Sequence, residues 1–145
     1  MTKRIIVVED SMTFCERICN MLKRQGWETS KAYNVHKGME LVQDADEFTI
    51  VLSDLRLPDG DGIKLLEWMR ENGYENKFVI MTDYESYSSA VAAIKKGAAN
   101  YFPKSQMQGE LFDFLDALWK GNEHIAKSRE QIFARTSEAY TKVIE

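Results

Sequence analysis

The sequence predicts an α/β domain built on one doubly wound parallel sheet of five strands, with helices on both faces and an extended C-terminal helix. Two observations carry that reading. Short apolar, β-branched runs alternate with segments of helical periodicity over most of the chain, which is the spacing of parallel strands joined by crossover helices. The clearest runs, Ile5-Ile6-Val7-Val8, Ile50-Val51-Leu52 and Phe78-Val79-Ile80-Met81, are apolar at consecutive positions, as strands covered on both faces must be.

In chain order, the first strand, residues 4–8, ends on the acidic pair Glu9-Asp10. Ser11 can cap the helix that follows, in which Phe14, Ile18, Met21 and Leu22 recur at helical spacing and which Gly26 ends. Trp27 to Tyr33 is a more polar strand, suited to a sheet edge. Asn34 can cap a second helix carrying Val35, Met39, Leu41 and Val42. The central strand then closes on Asp54. Leu57-Pro58-Asp59-Gly60 breaks the chain into a turn, Gly62 precedes a third helix with Ile63, Leu65, Leu66, Trp68 and Met69, and Asn72-Gly73 makes the next turn. The strand that follows ends on Thr82. An Ala-rich fourth helix is expected from Ser86 to Lys96, stopping at Gly97, and a short strand, Asn100-Tyr101-Phe102, leads to Pro103-Lys104. Right-handed crossovers leave few topologies for such a chain, and the flavodoxin-like order 2-1-3-4-5 makes the first and third strands neighbours at the switch point.

A chain of 145 residues with 44% hydrophobic content supports one domain with a tail. Lys and Arg total 19 against 23 Asp and Glu, a net charge of -4, so no basic field recruits nucleic acid and no direct contact with it is expected of this fragment. No apolar run approaches the ~20 residues of a membrane span, and the opening MTKRIIVVED alternates like a strand, so a cytoplasmic protein without membrane attachment is expected. Cys15 and Cys19, four apart on the first helix, read as small side chains flanking a core stripe in a reducing compartment. His36 and His124 have no Cys or His at ligand spacing.

The predicted sheet brings Glu9, Asp10, Asp54, Thr82 and Lys104 to one edge, because each lies at or just past the carboxyl end of a strand. Taken singly, each has a plainer role: the acidic groups as caps or solvated loop residues, Lys104 as a surface lysine, Tyr101 as a half-buried strand aromatic. Their joint occurrence at the ends of the right strands outweighs those readings. Three carboxylates packed together repel unless a cation joins them, and hard oxygen ligands with open positions suit Mg²⁺. In that setting Asp54 is the nucleophile that forms an acyl phosphate, Lys104 holds another phosphoryl oxygen, and Thr82 can hydrogen-bond the transferred group.

The motifs VVED, VLSDLRLPDGDG and VIMTDYESYSSAVAAIKKGAANYFPK, in that order, resemble the receiver domain of bacterial two-component response regulators, over residues 4 to about 120. The resemblance implies Glu9, Asp10 and Asp54 as magnesium ligands together with the backbone carbonyl of Arg56. It further implies Asp54 as phosphoacceptor from a sensor histidine kinase, Lys104 as phosphate partner, and Thr82 with Tyr101 as a switch pair that alters the surface of the fourth helix, fifth strand and fifth helix. Such a domain mediates its own phosphotransfer and is not a turnover enzyme. Two positions depart from the family's pattern. Ser105 stands where a proline joined by a cis bond is usual, so either a costly cis bond is kept or the loop takes another path. Asp83 stands where a small residue is general, adding a carboxylate near the pocket. These departures leave a phosphorylation-independent interaction domain as the alternative. An aspartyl-phosphate phosphatase on a similar sheet is disfavoured, since the position of its proton donor holds Arg56.

Beyond the receiver pattern, Leu111, Leu115, Leu118, Asn122, Ile125, Arg129 and Ile132 follow a spacing of three and four. This is a heptad seam, with Asn122 and Arg129 at a positions, and it predicts a linker helix over residues 121–135 that forms a parallel two-stranded coiled coil, hence a homodimer through the fifth helix and linker. Gly121-Asn122 would also make a good helix stop, but the seam outweighs that reading. Residues 134–145 carry a Ser/Glu helix start without room to finish, and from residue 136 to 145 look like the opening of the ATPase module of enhancer-binding activators of the nitrogen-regulation type. The chain therefore reads as receiver and linker of a longer transcription activator. It contains no phosphate-binding glycine loop of its own.

Overall fold

The computed structural model describes residues 1–83, 87–106 and 108–144. Strands β1 (Arg4–Val8), β2 (Glu28–Ala32), β3 (Ile50–Asp54), β4 (Phe78–Thr82) and β5 (Asn100–Pro103) form one parallel sheet in the order β2-β1-β3-β4-β5. The expected topology is thus the observed one. Helices α1 (Met12–Arg24), α2 (Val35–Asp44), α3 (Gly62–Glu71), α4 (Tyr87–Lys95) and α5 (Gln108–Ile144) connect and cover it. The expected start of α4 at Ser86 lies outside the described residues.

Side chains of residues 5–8 on β1 alternate between two cores, which is why those four positions are all apolar. Ile5 and Val7 join Ile18 and Leu22 of α1 and Leu111, Leu115 and Trp119 of α5 on one face. Ile6 and Val8 join Val42 of α2, Leu65 and Met69 of α3 and Ala93 of α4 on the other. Cys15 and Cys19 are fully buried in the first of these cores, as the helical spacing implied. Trp27 and Trp119 meet edge to face at 5.8 Å and close that layer.

The predicted caps are present. Ser11 accepts from the Phe14 amide and Asn34 from the Lys37 amide, while Gly26 leaves α1 at φ +92°, a region that penalises any Cβ. Two features differ from expectation. The turn after β3 is a miniature antiparallel hairpin, Arg56–Leu57 against Gly60–Asp61, which is too short to carry a sequence pattern. More consequentially, the helix start expected within residues 134–145 falls inside α5, which runs on through Gly121-Asn122 as the expected linker helix requires. Asn122 is buried, 4% exposed, because its Nδ2 donates to the Phe48 carbonyl at 2.9 Å in the α2–β3 loop. Leu111 and Leu115 are fully buried in the domain's own core. The first half of the heptad seam therefore packs on the chain itself, correcting its assignment to a dimer contact.

Candidate active site

Register sets the site. Val8 pairs with Ser53, so Glu9, the next residue, comes level with Asp54 at the carboxyl edge of the sheet. Asp54 in turn pairs with Met81, and Thr82 with Pro103, so Thr82 and Lys104 arrive at the same edge from the other side. One carboxylate oxygen from each of Glu9, Asp10 and Asp54 lies within 4.8 Å of the others. Glu9 and Asp54 are buried, at 1% and 6% exposure, while Asp10 faces solvent.

The Lys104 ammonium sits among the buried carboxylates. Its Nζ lies 3.0 and 2.9 Å from the two Glu9 oxygens, 2.9 Å from Asp54 Oδ2 and 4.5 Å from the centre of the Phe14 ring. Burial opposes the charge on Lys104, but the bonds to Asp54 and Glu9 prevail and raise its pKa above that of an ordinary lysine. Burial, followed by the neighbouring Asp54, pushes the Glu9 carboxyl up to about 7, even though Lys104 pulls it down. One ammonium is thus an incomplete neutraliser for this group of carboxylates. A donor set of hard oxygens, crowded and short of positive charge, fits a divalent cation.

The loop beyond Asp54 is pinned at several points. Asp54 Oδ1 accepts from the Arg56 amide at 3.4 Å, and the Gly62 amide donates to the Leu55 carbonyl at 2.8 Å. A Cβ at Gly62 would lie 2.4 Å from the Asp54 carbonyl oxygen, so glycine is required there by close approach. Asp61 caps α3 through the Lys64 amide at 2.8 Å, and Asp59 accepts from the Val35 and His36 amides at 2.7 and 3.0 Å, tying the loop to the start of α2. Partial burial disfavours the Asp59 charge, but those amides outweigh it and hold its carboxyl below the usual range.

Asp54, Arg56, Thr82 and Asp83 line an open cleft. Thr82 is 1% exposed at its floor, whereas Asp83 is exposed. Tyr101 is half-buried, packed against the core on the α2–α4 side of the sheet. Lys104–Gln106 form a turn of 3-10 helix, and no cis peptide bond occurs among the described residues, so at Ser105 the chain takes the other of the two expected paths. All the site residues inferred from sequence come to this edge except Tyr101, which lies two residues before the end of β5, opposite Ile80. The ion pair of Lys104 with Glu9 and the Asp59 tether were not foreseen. The tether had a signal in Asp59 beside the Pro58 turn, but its partner on α2 is distant in sequence.

The pattern that defines response regulator receiver domains matches residues 5–116 of this chain. The chain belongs to that family. The photosynthetic apparatus regulatory protein RegA of Rhodobacter capsulatus is 34% identical over 103 residues, covering 70% of this chain and 55% of RegA. The regulatory protein AtoC of Escherichia coli is 34% identical over 101 residues, 70% of this chain and 22% of AtoC. This chain therefore spans about half the length of the RegA proteins it matches, and less of AtoC. Among solved structures, the receiver domain of a Francisella response regulator superposes with a TM-score of 0.78 at 21% identity, covering 83% of this chain and 99% of that one. The response regulator TrrA of Thermotoga maritima, solved in complex with Mg(2+)-BeF, gives 0.72 at 25% identity, covering 81% and 99%. No helix among the described residues is long and apolar enough to cross a membrane.

Proposed function

We propose that this receiver takes a phosphoryl group on Asp54 from the phosphohistidine of a sensor histidine kinase, in a Mg²⁺-dependent step, and thereby switches the output of a longer cytoplasmic regulator of transcription. The observation that carries the proposal is the meeting of Glu9, Asp10 and Asp54 within 4.8 Å beside the Lys104 ammonium, next to a cleft floored by a threonine. Glu9, Asp10, Asp54 and the Arg56 carbonyl would hold the ion. When bound, it supplies charge neutralisation to the carboxylates and to the incoming phosphoryl oxygens.

An Asp54 carboxylate oxygen attacks phosphorus. The new P–O bond forms as the P–N bond breaks, and the leaving imidazole nitrogen keeps the electron pair and takes up a proton. Lys104, 2.9 Å from Asp54 Oδ2, is placed to pair with a phosphoryl oxygen in exchange for part of its bonding to the carboxylates. The Thr82 hydroxyl can donate to another oxygen, and its shift, together with Tyr101, carries the change to α4, β5 and α5. The domain modifies itself once per signal and is no turnover enzyme. The similarity to AtoC and to the response regulator protein PilR of Pseudomonas aeruginosa, 29% identical over 113 residues, supports an activator of the nitrogen-regulation type, and the three-and-four repeat of Asn122, Ile125, Arg129 and Ile132 supports a homodimer joined through the linker helix. Incubation with phosphoramidate and Mg²⁺, followed by intact-mass measurement, should add one phosphoryl group to the wild type and none to Asp54→Asn or in EDTA. An undiminished adduct on Asp54→Asn would overturn the proposal.

A further inference from the structure

We infer that the α2–β3 loop is a docking surface for the linker part of α5, and that this contact competes with pairing of the linker helix to a second copy of the chain. The inference rests on the linker pairing proposed above, and it assigns to residues 46–49 a role remote from the phosphorylation edge.

Three contacts made by the helix support it. The buried Asn122 amide donates to the Phe48 carbonyl at 2.9 Å. Two turns on, the Arg129 guanidinium lies 5.6 Å from the centre of the Phe48 ring and pairs with Glu47. Both residues stand on the stripe with a three-and-four repeat that a parallel coiled coil would turn towards its partner, and Ile125 lies between them on the same stripe. A second helix seated on that stripe would have to displace Phe48 and Glu47, so the helix can satisfy its own loop or a second copy at these positions, not both.

The loop is built to hold its shape. The Asp46 carboxylate accepts from the Phe48 and Thr49 amides, each at 2.9 Å, and from the Thr49 hydroxyl at 3.1 Å. From the other side, the buried Asn76 amide donates to the Asp46 and Thr49 carbonyls at 2.9 and 2.8 Å. Asp46 also pairs with Arg4 at 3.2 Å. The helix, by contrast, has a weak point at the base of the docked segment: Gly121 has open space where a Cβ would stand, so no packing demands glycine there, and its backbone freedom favours bending. A rigid loop facing a helix that can yield at Gly121 is an arrangement with two outcomes, docked or released for pairing.

The test changes only the loop, leaving the helix and the Asp54 site untouched. Glu47→Lys removes the ion pair and repels Arg129; Phe48→Ala removes the ring beneath it. The full chain and both variants are examined by sedimentation equilibrium and by amide hydrogen exchange across residues 122–133. Loss of an exposed ion pair and of a cation–π contact is expected to tighten dimerisation roughly three- to tenfold and to speed exchange of this segment in the monomer. Glu47→Lys lies on an exposed pair and leaves the core intact, so it decides the matter if Phe48→Ala folds poorly. A wild type that dimerises with an affinity unchanged or weakened in Glu47→Lys overturns the competition. A wild type that stays monomeric overturns the linker pairing itself, and with it this inference, while leaving phosphoryl transfer to Asp54 unaffected.

Discussion

Glu9→Gln tests the electrostatics of the site through stability alone. The Glu9 carboxyl rises from an ordinary 4.5 to about 7, first through burial and then through Asp54. Between those values the folded chain keeps a proton that the unfolded chain has released, so stability falls as pH rises through this window. The contribution is fully present below pH 4.5 and is lost above about pH 7. The rise corresponds to about 3 kcal/mol across the window. Glu9 is 1% exposed, so solvent does little to screen it. In EDTA, urea unfolding followed by the fluorescence of buried Trp27 and Trp119 should give wild type and Glu9→Gln similar stabilities at pH 4.5. At pH 8 the variant should be the more stable by up to about 3 kcal/mol. Saturating Mg²⁺ should shrink that gap by favouring the charged carboxylate. A difference between the two proteins that stays constant from pH 4.5 to 8 would refute the reasoning.

Lys104→Met leaves two buried carboxylates without their ammonium, and should cost about 3 kcal/mol in EDTA at neutral pH, with much of the loss recovered by Mg²⁺ in the same urea assay. Gly62→Ala forces a Cβ to within 2.4 Å of the Asp54 carbonyl, and thermal unfolding should show destabilisation of about 1–3 kcal/mol or failure to fold. Gly121→Ala adds a methyl group in open space within α5 and should raise stability by up to about 1 kcal/mol; calorimetry showing a loss would contradict the continuous helix.

The sheet was readable because its strands are buried on both faces, and consecutive apolar residues such as those of β1 and β4 admit few other arrangements. Caps at Ser11 and Asn34 were readable because their partners lie three residues away. What escaped depends on partners distant in the chain. The heptad spacing carried α5 through Gly121-Asn122, but nothing local signalled that the Asn122 amide would be taken up by the Phe48 carbonyl, 74 residues earlier, and so buried. The same holds for Lys104 and Glu9, 95 residues apart: the strand-end pattern brought them to one edge but did not reveal that the lysine would serve as the counter-ion of Glu9. The miniature hairpin after β3 sits in a loop that Asp59 ties to the start of α2, a tether no local periodicity encodes.

The most direct test of the central claim is to locate the modification. After incubation with phosphoramidate and Mg²⁺, borohydride reduction converts an aspartyl phosphate to homoserine, and peptide mapping identifies the position. Homoserine at residue 54 alone, dependent on Mg²⁺, is the predicted result; homoserine at Asp10 or Asp83, or labelling at Asp54 that persists undiminished in EDTA, would contradict it.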